Sequence, residues 1–451
     1  MFEKLIELLG KDKVSRSESQ LFHHSKDESY HTPVEPDAVV FPSSREDIIA
    51  IMKFANENRI PVVPYGAGSG LEGQAIPINK GISISFQNMN KIISFQPEDF
   101  IVTVQPGVTR MQLNDMLNPH GLFFPVDPGA DATIGGMAAT NASGTAAVRY
   151  GTMKDQVLSI EAVLPDGRII KTGSLAKKSS SGYNLNSLFV GSEGTLGVFT
   201  EITLKLQGIP EFMLAARCSF PDVEACVKAA HSILMAGVPI ARIELVDPVS
   251  MEKVNEYSGT SYPVAPSLFF EFHGNQAGLE EDASLVQSIV KEFGSSDWVA
   301  ETDSIARAQL WKARHELAYA FLHQNKGYKA GITDICVPIS KLAEVVVLAR
   351  KMIDEAGMEG GVLGHIGDGN FHSIFMYDPN DQKQIEAIKN IDEKIVHLAL
   401  SVGGTCTGEH GVGLGKMKYQ EHEHGEALNL MKDIKNLIDP LNIMNPGKIF
   451  P

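Results

Sequence analysis

Three glycine-rich segments crowd the first half of this chain of 451 residues, and they limit what it can become. The first, Pro64-Tyr-Gly-Ala-Gly-Ser-Gly-Leu-Glu-Gly73, closes an apolar run from Ile60 to Tyr65 that reads as a strand. Residues 68 to 73 satisfy GxGxxG, but a dinucleotide fingerprint of that form must open a helix, and Gln74 to Gly81 contains Pro77 and Gly81. The second, Val126 to Gly144, has almost no side chain larger than Met. Such a run either packs two backbones together or lets a large flat ligand lie on the main chain. The third is Phe189-Val-Gly-Ser-Glu-Gly-Thr-Leu-Gly197. Glycine lets backbone N–H groups approach a pyrophosphate closely, so three such segments in one half favour a ligand cradle over three unrelated loops.

Around these segments the pattern is mixed. Ala38 to Phe41 reads as a strand, and Ser44 with Asp47 marks the start of a helix running to about Asn58, giving a βαβ unit with Ile60 to Tyr65. Short β segments follow from Ile82 to Val108, then a helix from Met111 to Leu117. Strands at Val157 to Leu164 and Ile169 to Thr172 flank the turn Pro165-Asp166-Gly167, and Ile202 to Leu206 closes this half. Beyond Gly208-Ile-Pro-Glu211 the glycine-rich character stops. Strand-like Leu268 to His273 lies between helical stretches at Pro221 to Ala236 and Ser340 to Ala356. The length exceeds what one core usually supports. We therefore expect a first domain over residues 1–208, a second over 209–420, and a C-terminal segment over 421–451.

Composition removes several function classes. Hydrophobic residues at 43% and charged residues at 21% are ordinary globular usage. The 39 Lys and Arg against 55 Asp and Glu give a net charge of -16, which repels phosphate backbones, so nucleic acid is not an expected partner. Met1 to Gly10 reads as a short amphipathic helix, and no uninterrupted apolar run is long enough to span a bilayer. Cys218, Cys226, Cys336 and Cys406 are scattered without a CxxC pair, which suits core thiols in a reducing compartment. A cytoplasmic protein, peripheral to a membrane only through a partner, is expected.

In the second half three features carry chemistry. Gly364-His-Ile-Gly-Asp-Gly-Asn-Phe-His-Ser373 sets two histidines around a Gly-Asp-Gly-Asn turn. If those four residues form a hairpin loop, His365 faces His372 across the strands, a workable pair of metal ligands. Gly404-Thr-Cys-Thr-Gly-Glu-His-Gly-Val-Gly413 adds a carboxylate and a third imidazole among glycines. Two His and one carboxylate leave an open position, as a catalytic metal site needs. Spacing does not decide between Glu409 and His410. Arg314 falls on the apolar stripe of Leu310, Leu317 and Phe321 in a helix from Asp303 to Leu322, so its charge must snorkel, meet a buried carboxylate, or meet a substrate carboxylate.

The segments PYGAGSGLEG, DPGADATIGGMAATNASG and FVGSEGTLGVFTEITLKL together resemble the FAD-binding domain of the vanillyl-alcohol oxidase superfamily. The likeness runs from about Pro33 to the terminal MNPGKIF and is nearest to the branch of FAD-linked D-lactate dehydrogenases, glycolate oxidase flavin subunits and D-2-hydroxyglutarate dehydrogenases. It implies an α+β protein: a two-subdomain FAD-binding domain of the p-cresol methylhydroxylase (PCMH) type, then an α+β cap or substrate domain with an antiparallel sheet, then a C-terminal segment returning to the flavin domain. It places Pro64, Gly66, Ala67, Gly68, Ser69, Gly70 and Leu71 at the cofactor. Pro128, Gly129, Thr133, Gly135, Gly136, Ser143, Gly144, Val198 and Asn445 line the rest of the flavin. Relatives with covalent flavin carry a histidine in the first loop, and positions 66 to 73 have none, so FAD is expected to be non-covalent.

By the same resemblance His365, His372 and Glu409 hold a divalent ion, zinc, manganese or iron, and His410 is the catalytic base. Arg314, in a WxxR motif from Trp311, binds substrate, with Asn370 beside it. The 2-hydroxyglutarate branch carries a lysine before its Asp-x-x-x-Pro segment for a second carboxylate, whereas Ile332-Thr-Asp-Ile-Cys-Val-Pro338 has none, which favours lactate or glycolate and leaves the nearby Lys329 open. The expected reaction is oxidation of a D-2-hydroxy acid to the 2-oxo acid. Electrons pass to a quinone, a cytochrome, an electron-transfer flavoprotein or an iron-sulfur subunit, and a homodimer is among the expected assemblies. The rival readings are an ether-lipid synthase using FAD without net oxidation and a metal-dependent hydrolase.

Overall fold

The computed structural model describes all residues from 1 to 451. The chain divides into two compact units. The first comprises Met1–Ser143, Gly151–Ile209 and Glu409–Pro451, and the second Gly144–Tyr150 and Pro210–Gly408.

In the first unit the Ser44 side chain accepts the Asp47 amide and starts the helix Arg45–Asn58, whose buried face is Ile48, Ile51, Met52 and Ala55 at helical spacing. The helix joins the strands Ala38–Val40 and Val62–Tyr65, which are not neighbours: Ile82–Ser85 lies between them, parallel to both. Ala38, Val39 and Val40 are completely buried, as expected of a parallel strand covered on both faces. The chain's end returns here, with the Val62 amide donating to Ile443 and the Asn445 amide to Val62, each at 2.8 Å. A five-stranded antiparallel sheet follows the order Ile92–Gln96, Ile101–Val104, Val198–Lys205, Val157–Val163, Ile169–Lys171. Val104, Ile160, Ile202 and Leu204 pack there with Ile134, Met137 and Ala138 of the helix Ile134–Thr140.

The second unit is built on an antiparallel sheet in the order Ser296–Glu301, Phe212–Ser219, Ser267–Gly274, Ile240–Val246, Gly360–Gly364, Asn370–Tyr377, Lys329–Ile332. The helices Val223–Met235 and Ile339–Glu355 pack on each other. Phe269, Val246, Leu363 and Ile374 of the sheet form a core with Leu310, Trp311, Leu317 and Phe321. The helix expected from Asp303 to Leu322 is two, Ser304–His315 and Leu317–Gln324, broken at Glu316. The apolar stripe passes over the break because Leu310, Leu317 and Phe321 stay buried on both sides of it. No helix is long and apolar enough to cross a membrane.

Candidate active site

The first glycine segment begins where the strand Val62–Tyr65 ends. From Ala67 to Leu71 no backbone amide donates to a protein acceptor, and all five residues keep some exposure. A run of unpaired N–H groups in a turn is an anion nest. Gly68 holds it open at φ 72°, where any Cβ would strike the Tyr65 ring. Tyr65 is fixed in turn, its hydroxyl within 3.0 and 3.1 Å of the His23 and Lys26 carbonyls. Pro64 and Gly66 are partly exposed beside the nest.

Thr133 caps the helix Ile134–Thr140, its Oγ1 accepting the Gly136 amide at 3.3 Å. A Cβ on Gly66 would sit 2.5 Å from that Oγ1, so the loop and the helix start meet directly. Gly135 and Gly136 are partly exposed, Gly129 has open space around it, Pro128 is partly exposed and Ser143 is buried. Gly144 opens the short stretch that belongs to the second unit. Val198 is 0% exposed, in the core beside Val163, and so lies apart from the cradle's surface. Asn445 is buried, its Nδ2 donating to the Gln74 and Glu193 carbonyls at 3.0 and 2.8 Å. These small, partly open residues around an unpaired nest fit a flavin dinucleotide.

In the second unit six polar side chains form a string. Arg314 Nη2 donates to Glu244 Oε2 at 2.6 Å, and His365 Nδ1 meets Glu244 Oε1 at 2.7 Å. Burial alone would push the Glu244 carboxyl up, but the His365 and Arg314 charges outweigh it and hold it below the usual range. The His365 and His372 ring centroids are 5.4 Å apart. His372 Nδ1 donates to the Thr333 carbonyl at 3.2 Å and lies 3.7 Å from Asp334 Oδ1. Asn370 Nδ2 donates to that same Asp334 oxygen at 2.8 Å. Both histidines therefore turn Nδ1 to a protein acceptor, as metal-binding imidazoles do.

The hairpin differs from expectation in register. Leu363, not His365, stands opposite His372, and His365 to Gly369 form a five-residue connection. Side chains alternate with period two, so a slip of two residues keeps the same face, and the two rings still meet. Asp334 holds the next segment as well, its Oδ2 accepting the Thr407 hydroxyl and the Gly408 amide, each at 2.8 Å. Glu409 and His410 follow directly and open the chain's return to the first unit, where Gln74 Nε2 donates to the His410 carbonyl. Lys329 is exposed at the start of its strand.

Glu244 and Asp334 escaped the sequence reading. Arg242 and Glu244 alternate with Ile243 and Leu245, which looks like a strand with one wet face, yet Glu244 is 0% exposed. On that same face Glu271 and His273 are buried too, bonded to each other at 2.7 Å, with the Tyr150 hydroxyl 2.8 Å from His273 Nδ1. Within the string of six side chains two buried atoms are left without partners, Arg314 Nε and Asn370 Oδ1.

An anion nest in one unit and a buried cation among imidazoles in another are groups that a flavin-dependent oxidoreductase can use. Comparison gives the family. Residues 209–449 match the profile described as FAD linked oxidases, C-terminal domain, and residues 36–173 match the FAD binding domain. The chain belongs to the FAD-linked oxidases. It is 46% identical to the probable mitochondrial D-lactate dehydrogenase of Danio rerio, over 98% of this chain and 89% of that one. It is 44% identical to the mitochondrial D-lactate dehydrogenase [cytochrome] of Arabidopsis thaliana, over 100% of this chain and 80% of that one. The fold matches 4-ethylphenol oxidase from Gulosibacter chungangensis with a TM-score of 0.82 at 17% identity, over 100% of this chain and 97% of that one.

These comparisons correct one expectation. The cytoplasmic assignment is withdrawn, because the Danio and Arabidopsis relatives are both named as mitochondrial. The four cysteines are free, three of them buried, which suits a reducing compartment without singling out the cytoplasm.

Proposed function

We propose that this FAD-linked oxidase oxidises a small D-2-hydroxy acid, D-lactate before glycolate, to its 2-oxo acid and hands the electrons to an acceptor other than NAD. The observation that carries the reading is the buried string from Arg314 through Glu244 to His365, in which a cation keeps an unspent Nε–H beside two imidazoles. A 2-hydroxy acid presents a carboxylate and a hydroxyl two bonds apart, and it needs both kinds of group. Two relatives named for D-lactate, aligned over nearly the whole chain, favour lactate.

In this reading Arg314 takes the substrate carboxylate, with Glu244 fixing the guanidinium so that little is lost in ordering it. Asn370, whose Oδ1 is buried without a donor, is assigned to substrate binding with it. His410 takes the hydroxyl proton as C2 is oxidised. His365, His372 and Glu409 are assigned as ligands of a divalent ion, zinc, manganese or iron. When bound, FAD supplies the acceptor for the C2 hydride at its N5, and the ion supplies a positive charge for the hydroxyl oxygen. FAD is held without a covalent bond, on the nest from Ala67 to Leu71 and the small residues of the second segment.

Anaerobic mixing of the purified flavoprotein with D-lactate, L-lactate, glycolate and D-2-hydroxyglutarate tests the assignment. Flavin bleaching should be fastest with D-lactate. A flavin that none of the four reduces would remove the 2-hydroxy-acid reading, and fastest bleaching by 2-hydroxyglutarate would remove the preference for a monocarboxylate.

A further inference from the structure

The segment that follows His410 is held in the first unit by two buried side chains, Gln74 just after the first glycine segment and Glu193 within the third. Gln74 Nε2 donates to the His410 carbonyl at 2.6 Å. Glu193 Oε1 accepts the Val412 amide at 2.6 Å, and its Oε2 accepts the Gly413 amide at 2.8 Å. Gly411 passes between them at φ 83°, where a Cβ would stand 2.7 Å from Glu193 Oε1 and 2.8 Å from Gln74 Nε2. The two arms are tied at their backbones by one amide, since Asn445 Nδ2 donates to the carbonyls of both Gln74 and Glu193.

Such a grip is unfavourable to build. Glu193 sits at φ 50°, a left-handed conformation that a residue with a Cβ rarely adopts. Its carboxyl is buried, which pushes its pKa up to about 7 against the pull of the two amides and Lys448. A neutral amide of the same shape could accept only one of the two N–H groups and would set its own NH2 against the other. Both oxygens are therefore in use, one on Val412 and one on Gly413, two and three residues after His410.

We propose that Glu193 and Gln74 are positioning residues for His410: they fix the peptide that carries the imidazole, so that the loops cradling the flavin also set where the base stands. This rests on the reading of His410 as the base. Displacement of a reacting group by about 1 Å costs on the order of a hundredfold in rate, while outright loss of a base costs about 100- to 10,000-fold.

The test is a double-mutant cycle on the holoenzyme, reading anaerobic flavin reduction at saturating D-lactate, substrate affinity and FAD content. Glu193→Gln should slow reduction about 10- to 100-fold with substrate affinity and FAD content near parental. In a His410→Asn background the same change should cost nothing further, because a residue that acts only through His410 has nothing left to position. Gln74→Leu should behave alike and serves if Glu193→Gln does not fold. An equal slowing in both backgrounds, a parental rate in Glu193→Gln, or loss of FAD from both variants would overturn the assignment. A parental rate in His410→Asn would instead remove His410 as the base, and the positioning role with it.

Discussion

Replacement of Glu244 by Gln should be among the most damaging isosteric changes in the second unit. The carboxyl is 0% exposed and serves Arg314 at 2.6 Å and His365 at 2.7 Å. At an effective dielectric of about 20 and a charge separation of about 4 Å, the attraction to one guanidinium is on the order of 4 kcal/mol. Removing one partner of a buried pair strands the other charge and costs about 3–5 kcal/mol. Gln keeps the volume, so no cavity adds to this figure. It also turns an NH2 toward one of two donors, and the tautomer of His365 is no longer enforced. Urea unfolding followed by tryptophan fluorescence reads this unit alone, because both tryptophans, Trp298 and Trp311, lie in it. We expect Glu244→Gln to lose about 3–5 kcal/mol. Adding Arg314→Met should recover much of that loss, since the stranded charge is then gone. A single variant within about 0.5 kcal/mol of the parent, the range of an ordinary surface change, would refute the claim that this carboxylate compensates a buried cation.

Three further outcomes follow from the same geometry. Chelation should stop turnover while the flavin spectrum stays, because His365 and His372 belong to the second unit and the nest to the first; full activity in a metal-free preparation would eliminate the ion. Arg314→Lys should weaken D-lactate binding about tenfold to a hundredfold with a smaller effect on the reduction rate, as a charged hydrogen bond is worth about 1.5–3 kcal/mol and Lys lacks the planar fork; titration of the flavin spectrum measures it, and an unchanged affinity would free Arg314 of the substrate. His24, lowered to about 4 from 6.5 chiefly by burial, stays neutral in the folded state while the unfolded chain takes up a proton below 6.5. Stability of the first unit should therefore be complete above that pH and fall as pH drops toward 4, by at most about 3 kcal/mol before solvent screening. Parallel pH–stability curves for the parent and His24→Asn would contradict the assignment.

What could be read without coordinates divides by distance along the chain. The cap at Ser44, the helix to Asn58 and the turn at Pro165 are local, and a few neighbouring residues decide them. The insertion of Ile82–Ser85 between Ala38–Val40 and Val62–Tyr65 is not, because nothing in any of these runs states which edge another will take. Nor does composition reveal that Gly144–Tyr150, inside a glycine-rich stretch of the first half, belongs to the second unit.

The site shows the same division more sharply. His365, His372, Glu409 and His410 stood out because together they offer a workable set of metal ligands among glycines, and Arg314 because it broke an apolar stripe. Glu244 gave no such signal. Its strand alternates charged and apolar residues as a half-wet strand would, and periodicity tells only which face a side chain occupies. What covers that face is the helix Ser304–His315, which brings Arg314 to Glu244 from 70 residues away. A buried carboxylate of this kind becomes visible only when its partners do. The lone arginine on the apolar stripe therefore pointed to snorkelling, an unseen acid or a substrate carboxylate, and the last two, ion pair and substrate anchor, are compatible: Nη2 is used by Glu244, and Nε is not used at all.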